Sequence, residues 1–211
     1  MSHDWAVFDL VKSSKNEKKI PVIIEYDTVW QLINSVRTLH NYSFFILLYT
    51  CGLRSSEALR LRPKDIDAKR MMIRIEMSKG KRTREVPVTS FTLLKLRQYW
   101  ATHRNPNFIF PAGGQNMKGA PTATKHMVLR GIQDVLRKAV QELKLTQKIT
   151  PHTFRHCYAT HLLDAGVNIH MIQLFLGHAN IKTTCIYLHV TKNGMSQAVK
   201  VITDIFGDDD A

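Results

Sequence analysis

From Thr28 onward apolar residues recur at helical spacing, and Val29, Leu32, Ile33, Val36 and Leu39 fall on one face. The stretch Phe44 to Thr50 is apolar on nearly every side, which predicts a buried helix. Cys51-Gly52 closes it, because glycine adopts the left-handed C-cap without steric cost. Ser55 or Ser56 then starts a further helix through Leu61, and Pro63 stops it. The period now changes to two. Met71, Ile73 and Ile75 alternate with Met72, Arg74 and Glu76, and Glu85-Val86-Pro87-Val88 returns as a second strand with proline at an edge position. Between them Ser78-Lys79-Gly80-Lys81-Arg82 makes a strongly basic turn. Helical spacing resumes over Ser90–His103, Thr122–Leu145, Thr150–Ala165, Asn168–Leu176 and Ile181–Val190, with a last amphipathic piece at Met195–Phe206. Phe108-Ile109-Phe110-Pro111 reads as a short extra strand. The expected fold is mainly α with a small antiparallel β-sheet, an α+β domain spanning residues 20–206. Residues 1–19, with the polar run Ser13 to Lys19, read as a linker or tail, and 207–211 as a disordered acidic tail.

Charge narrows the class of partner. The 211 residues carry 30 Lys+Arg against 17 Asp+Glu, a net charge of +13. A surplus of that size favours a polyanion, since each phosphate neutralised releases condensed counterions. Nucleic acid leads, ahead of an anionic membrane surface or plain solubility. The three cysteines, Cys51, Cys157 and Cys185, are odd in number and widely spaced, which speaks against a disulfide framework or a cysteine zinc site. The N-terminus lacks a basic-then-apolar signal pattern, and the longest apolar run is too short to cross a bilayer. A cytoplasmic protein with no membrane partner is expected.

The most informative heptad is Thr150-Pro151-His152-Thr153-Phe154-Arg155-His156. Thr150 suits an N-cap and Pro151 the first helical position, so His152 and Arg155 share one face of a first turn. That turn also offers unpaired backbone N–H groups and the positive end of the helix dipole, a welcome place for a phosphate. Arg54, after Gly52-Leu53, is a second candidate. Two planar guanidiniums on one phosphodiester would oppose the charge that builds on its equatorial oxygens during transfer. Leu176-Gly177-His178 followed by Tyr187 supplies a nucleophile. A phenol has a pKa near ~10, so it attacks only if its proton is removed or its anion is stabilised. Lys79 on the basic tip could protonate a departing 5′ oxygen.

Cys51-Gly52-Leu53-Arg54-Ser55-Ser56-Glu57, Lys79-Gly80-Lys81, His152-Thr153-Phe154-Arg155-His156, Leu176-Gly177-His178 and Ile186-Tyr187-Leu188-His189 together resemble the tyrosine recombinase (phage integrase and Xer-like) family. The likeness covers roughly residues 20–206, with the motifs in the family's order. It implies a site-specific recombinase or integrase acting on double-stranded DNA through a 3′-phosphotyrosyl bond at Tyr187, without metal, cofactor or ATP. Arg54 and Arg155 would clamp the phosphate and Lys79 would be the general acid. His152 would assist as base or hydrogen-bond partner, His178 would hydrogen-bond the phosphate, and Glu57 would support the first arginine. Lys81, Arg82 and Arg84 are expected to contact DNA. The resemblance further implies homo-oligomers, dimer to tetramer on DNA, docked through the helix at 195–206. An N-terminal DNA-clasping domain is usual in the family; with 19 residues in its place, the chain is either an excised catalytic domain or a minimal recombinase.

Blander readings stand beside these. His152 and His156 form an i,i+4 pair that could bind zinc, but H-E-x-x-H is absent. His156, His161 and His189 read as packing or hydrogen-bonding residues, and Tyr49 and Tyr158 as core. Arg60, Arg62, Lys64, Lys69 and Arg70 are equally well DNA contacts or a solvated surface. A relaxing topoisomerase with the same chemistry, or a DNA-binding factor that no longer cleaves, are the competing functions.

Overall fold

The computed structural model describes residues 21–76, 83–189 and 191. Helix α1 (Tyr26–Asn34) buries Val29, Leu32 and Ile33, the first part of the stripe that the spacing predicts. The stripe is not one helix, however. The chain breaks after Asn34, where the Ser35 hydroxyl donates to the Leu32 carbonyl, and α2 (Leu39–Cys51) begins anew. Asn41 Nδ2 donates to the Thr38 hydroxyl at this new start. Phe44 to Leu48 are completely buried, so α2 runs through the centre of the core. Helix α3 (Ser55–Arg60) follows, and a 3-10 turn at Pro63–Asp65 leads into the sheet.

The sheet has three antiparallel strands in the order β1-β2-β3: β1 (Ile66–Asp67), β2 (Met72–Glu76) and β3 (Thr83–Pro87). Alternation predicts the hairpin but not β1, which is only two residues long. In the β2–β3 register Ile73 faces Val86 and Ile75 faces Arg84. Ile73, Ile75 and Val86 point into the core, while Arg74, Glu76, Thr83 and Glu85 point outward. Side chains alternate across a strand, so Arg84 must share the inner face with Val86.

Helix α4 (Ser90–Ala101) is N-capped by Thr89, whose hydroxyl accepts from the Thr92 N–H. The helix predicted from Thr122 starts later, as α5 (Leu129–Glu142). The preceding residues are held extended instead: Pro111 bridges His126, Ala112 N–H donates to the Lys125 carbonyl, and Met127 N–H donates to the Phe110 carbonyl. The predicted strand at 108–111 is thus half of a single β-bridge, and its partner is the stretch read as helix. Helix α6 (Pro151–Asp164) packs along α2, and α7 (Ile169–Leu176) lies against β3. The predicted helix 181–190 is two short 3-10 turns, Ile181–Thr183 and Cys185–His189, the second packed on α6. The tail readings at 1–19 and 207–211, the basic tip and the helix 195–206 lie outside the described residues.

Candidate active site

Two glycines shape the site. Gly52 ends α2 with φ +60°, and a Cβ there would stand 2.3 Å from the Tyr158 ring. Gly177 ends α7 with φ +64°, and its Cβ would stand 2.8 Å from Cδ of Arg84. Both positions therefore need glycine for conformation and for space. The left-handed turns leave carbonyls pointing at one guanidinium. Arg155, on the first turns of α6 and 1% exposed, donates from Nη1 to the Gly52 carbonyl (2.7 Å) and from Nη2 to the Leu176 carbonyl (2.6 Å). Its Nη2 also donates to Nε2 of His178 (3.1 Å). Two segments far apart in sequence, the ends of α2 and α7, are thus tied to one side chain of α6.

Because an arginine can only donate, Nε2 of His178 is an acceptor, so the ring proton sits on Nδ1 and is donated to the Thr184 hydroxyl (3.0 Å). Burial, followed by the charges of Arg155, Arg54 and Arg84, pushes His178 down to about 3. It is neutral at physiological pH.

Glu57 is the hub of the positive charge. Its carboxylate accepts from Arg54 Nη1 (2.9 Å) and the Arg54 backbone N–H (2.8 Å), and from Arg84 Nη1 (2.9 Å) and Nη2 (2.7 Å); Arg155 Nη1 stands 3.9 Å away. Burial alone would raise this carboxyl, but the Arg84 hydrogen bonds and charge, with help from Arg54 and Arg155, hold it at about 2. Three guanidiniums share one carboxylate, so the cluster keeps a surplus of two positive charges. Arg155 itself is pushed down to about 9 by burial and by its arginine neighbours, and remains charged at neutral pH. Such a surplus, in a place where water is scarce, is stabilised by an anion.

Arg84 corrects the sequence reading. It was expected on a DNA-facing basic surface, yet its side chain is 7% exposed, and it spends its donors on Glu57 and on the Phe175 carbonyl (2.7 Å). Alternation with Val86 and Val88 was the available signal. Arg54, by contrast, is 37% exposed and opens onto a cleft of about 620 Å³, lined also by Arg60, Arg62, Arg74, Phe108 and His126.

Tyr187 sits in the Cys185–His189 turn and is 2% exposed. Burial raises its phenol, and the charges of Arg155 and Arg54 pull it back down. Its hydroxyl shares a 3.0 Å hydrogen bond with Nδ1 of His156. His156, expected as a packing or hydrogen-bonding residue, is therefore the imidazole at the phenol. Burial, then His152 and Arg155, lower it to about 4. His152 is more exposed, and its ring meets the His156 ring edge-on at 4.4 Å. Partial burial and the charges of Arg155 and Arg54 lower it too. The spacing of four residues between these histidines was the signal that both face the same way. Among the described residues no group of three or more His, Cys, Asp or Glu is placed to hold a metal ion. Lys79, Lys81 and Arg82 lie outside the described residues.

Comparison with known proteins gives the family and the fold. The sequence profile of the phage integrase family matches residues 23–194. A tyrosine recombinase of Thermosipho africanus is 35% identical over 193 residues, covering 90% of this chain and 65% of that protein. The crystal structure of XerA recombinase superposes with a TM-score of 0.72 at 24% identity, over 86% of this chain and 65% of that one. XerH site-specific recombinase bound to a palindromic difH substrate gives 0.71 at 22% identity, over 87% and 54%. The fold is that of a tyrosine recombinase catalytic domain, and the chain belongs to the phage integrase family. It spans about two thirds of the length of the curated relatives it matches.

Proposed function

We propose that this chain is the catalytic part of a site-specific recombinase that cleaves and rejoins double-stranded DNA through a 3′-phosphotyrosyl intermediate at Tyr187. The observation that carries the reading is the buried cluster in which Arg54, Arg84 and Arg155 share the single carboxylate of Glu57, beside a tyrosine hydroxyl. One scissile phosphodiester is the anion this surplus calls for. Arg54, open to the cleft, meets its oxygens, and Arg155, fixed by two carbonyls, supplies the opposing charge. As Tyr187 attacks, negative charge grows on the equatorial oxygens, and preorganised guanidiniums stabilise that state more than the ground state. His152 flanks the phosphate as a hydrogen-bond partner, and His178 joins it once the phosphate takes Arg155 from its Nε2 and the ring proton moves to that nitrogen.

Lys79 is the general acid for the departing 5′ oxygen, and Lys81 and Arg82 track the DNA backbone beside it. A second DNA end then attacks the phosphotyrosine, so the bond energy is kept without ATP. Arg60, Arg62 and Arg74 along the cleft extend the phosphate track. Tyr187 is buried, so the phosphate reaches it as the Cys185–His189 turn yields; 3-10 geometry, with weaker i→i+3 bonds, makes that turn the part of the site best able to move. XerH is known in complex with its DNA substrate, which supports duplex DNA as partner here. Residues 20–206 form the catalytic domain, the helix 195–206 docks protomers into dimers and tetramers on DNA, and the protein works in the cytoplasm. Among the described residues no helix is long and apolar enough to cross a membrane.

The test is to incubate the full chain with nicked duplexes taken from its own genomic flanks and from a randomised library. An SDS-resistant protein–DNA adduct that Tyr187→Phe abolishes is expected. Absence of an adduct from both sources, or an undiminished adduct with Tyr187→Phe, overturns the reading.

A further inference from the structure

Among the described residues two partly buried tyrosine–histidine hydrogen bonds occur, and the difference between them is informative. Tyr49 OH lies 2.8 Å from Nδ1 of His161, whose Nε2 donates to the Ile24 carbonyl at 3.1 Å. That carbonyl fixes the tautomer, so Nδ1 of His161 accepts from the phenol. The pair joins α2 to α6 and the chain before α1, away from the arginine cluster. Tyr187 OH lies 3.0 Å from Nδ1 of His156, within the field of Arg155 and Arg54. One pair ties helices together. The other holds a phenol beside the place where a phosphate is expected.

We propose that His156 is the proton acceptor for Tyr187: its Nδ1 takes the phenolic hydrogen as the tyrosine oxygen attacks the phosphorus. This rests on the recombinase reading above and adds to it a residue that the reading assigns no role. His152, expected as base or hydrogen-bond partner, shares no hydrogen bond with Tyr187; it touches His156 ring to ring. In the step, the Tyr187 O–H bond breaks and its proton moves to His156. The phenolate pair forms the new P–O bond, and the P–O5′ bond breaks with its electrons leaving on the 5′ oxygen, which the general acid protonates. On rejoining, the proton returns from His156 to the tyrosine oxygen.

The charged and titratable groups facing His156 are His152 and Arg155 of its own helix and Tyr187 of the turn packed upon it. In the free site burial, and after it the charges of His152 and Arg155, keep the imidazole neutral; as proton acceptor it turns the lone pair of Nδ1 to the phenol. A bound phosphate offsets the Arg155 and Arg54 charges and so makes the imidazole a stronger base when substrate is present. The base is thereby switched on by the anion it serves.

The experiment uses a nicked duplex that gives an adduct with the wild-type full chain, in single turnover, with DNA binding and thermal melting measured on each variant. His156→Asn keeps an oxygen that can hold the phenol but accepts no proton at neutral pH; His156→Ala removes both. Each is expected to cleave about 10²–10⁴-fold more slowly while binding the duplex as before. Replacing Tyr187 by a difluorotyrosine, whose phenol is more acidic, is expected to restore a large part of the rate in His156→Asn, whereas damage to the fold would not respond to phenol acidity. Tyr49→Phe, which removes the other pair, is expected to leave cleavage unchanged. Cleavage by His156→Asn at the wild-type rate overturns the inference, as does a slow His156→Asn that the fluorinated tyrosine fails to rescue. A wild-type chain that forms no adduct overturns the recombinase reading and this inference with it.

Discussion

Two arginine–glutamate pairs, each with one partner in β3, share one chemistry and differ in where they lie. Arg70 donates to Glu85 at 2.7 and 2.8 Å, with side chains 59% and 44% exposed. Arg84 donates to Glu57 at 2.9 and 2.7 Å, with side chains 7% and 10% exposed. Glu85 and Arg84 are neighbours in β3, so a single step along the strand turns one pair to water and the other to the core. Outside, water and salt screen the charges, and the bond is worth little. Inside, removing Glu57 strands every guanidinium that shares it, while removing Arg84 takes from Glu57 two of its hydrogen bonds. The inner pair therefore acts as architecture: it fixes Glu57, Glu57 fixes Arg54, and the surplus positive charge has a defined place.

Removing the hub sharpens this contrast most. Glu57→Ala leaves three guanidiniums without their shared carboxylate and is expected to cost about 3–5 kcal/mol by chemical denaturation, with cleavage lost as well. A loss well under 1 kcal/mol would mean that water already satisfies the cluster. Arg84→Ala comes next, at about 2 kcal/mol, the scale of a buried hydrogen bond to a charged group. Here Glu57 keeps Arg54, so the variant should fold but position Arg54 loosely and cleave poorly.

Acid provides a third measurement. His178 and His156 are held at about 3 and about 4, below the ordinary histidine value of 6.5. Between those limits the unfolded chain binds more protons than the folded one, so stability is full above about pH 6.5 and declines as pH falls toward 4. Glu57, held at about 2, has an ordinary value of 4.5, so its contribution is present above 4.5 and fades as pH drops toward 2. Thermal melts across pH 7 to 4 should descend steadily; a flat profile would contradict neutral, buried imidazoles at the site. The smallest effect belongs to the outer pair. Arg70→Ala should leave the melting temperature unchanged within error, in low salt and in high salt alike. A clear destabilisation would show that exposure does not set the value of these pairs.

Much of the architecture was legible because period and capping are local. Gly52 announced the end of α2, and Thr150-Pro151 the start of α6. The hairpin followed from alternation. What escaped depended on distant partners. The stretch 123–127 has helix-compatible residues but pairs with 110–112, and only that pairing makes it extended. Residues 181–189 have helical spacing, yet they are held as 3-10 turns against α6 and by the His178–Thr184 bond. At the site, Arg54, His152, Arg155, His178 and Tyr187 could be picked out as a set, and the fold brings their segments together around Arg155 and Glu57. Arg84 was misjudged for a physical reason: a basic residue near a basic turn looks solvent-facing until its strand parity is counted. His156 is the hydrogen-bonding residue it was expected to be, but that its partner is Tyr187 depends on a contact 31 residues away that no local pattern shows.

The most direct measurement is to digest the covalent DNA adduct with protease and nuclease and locate the nucleotide-bearing residue by mass spectrometry. The account requires a peptide carrying a 3′-linked nucleotide on Tyr187, with a free 5′-hydroxyl on the released strand. A linkage on any other residue, or through a 5′-phosphate, would contradict it.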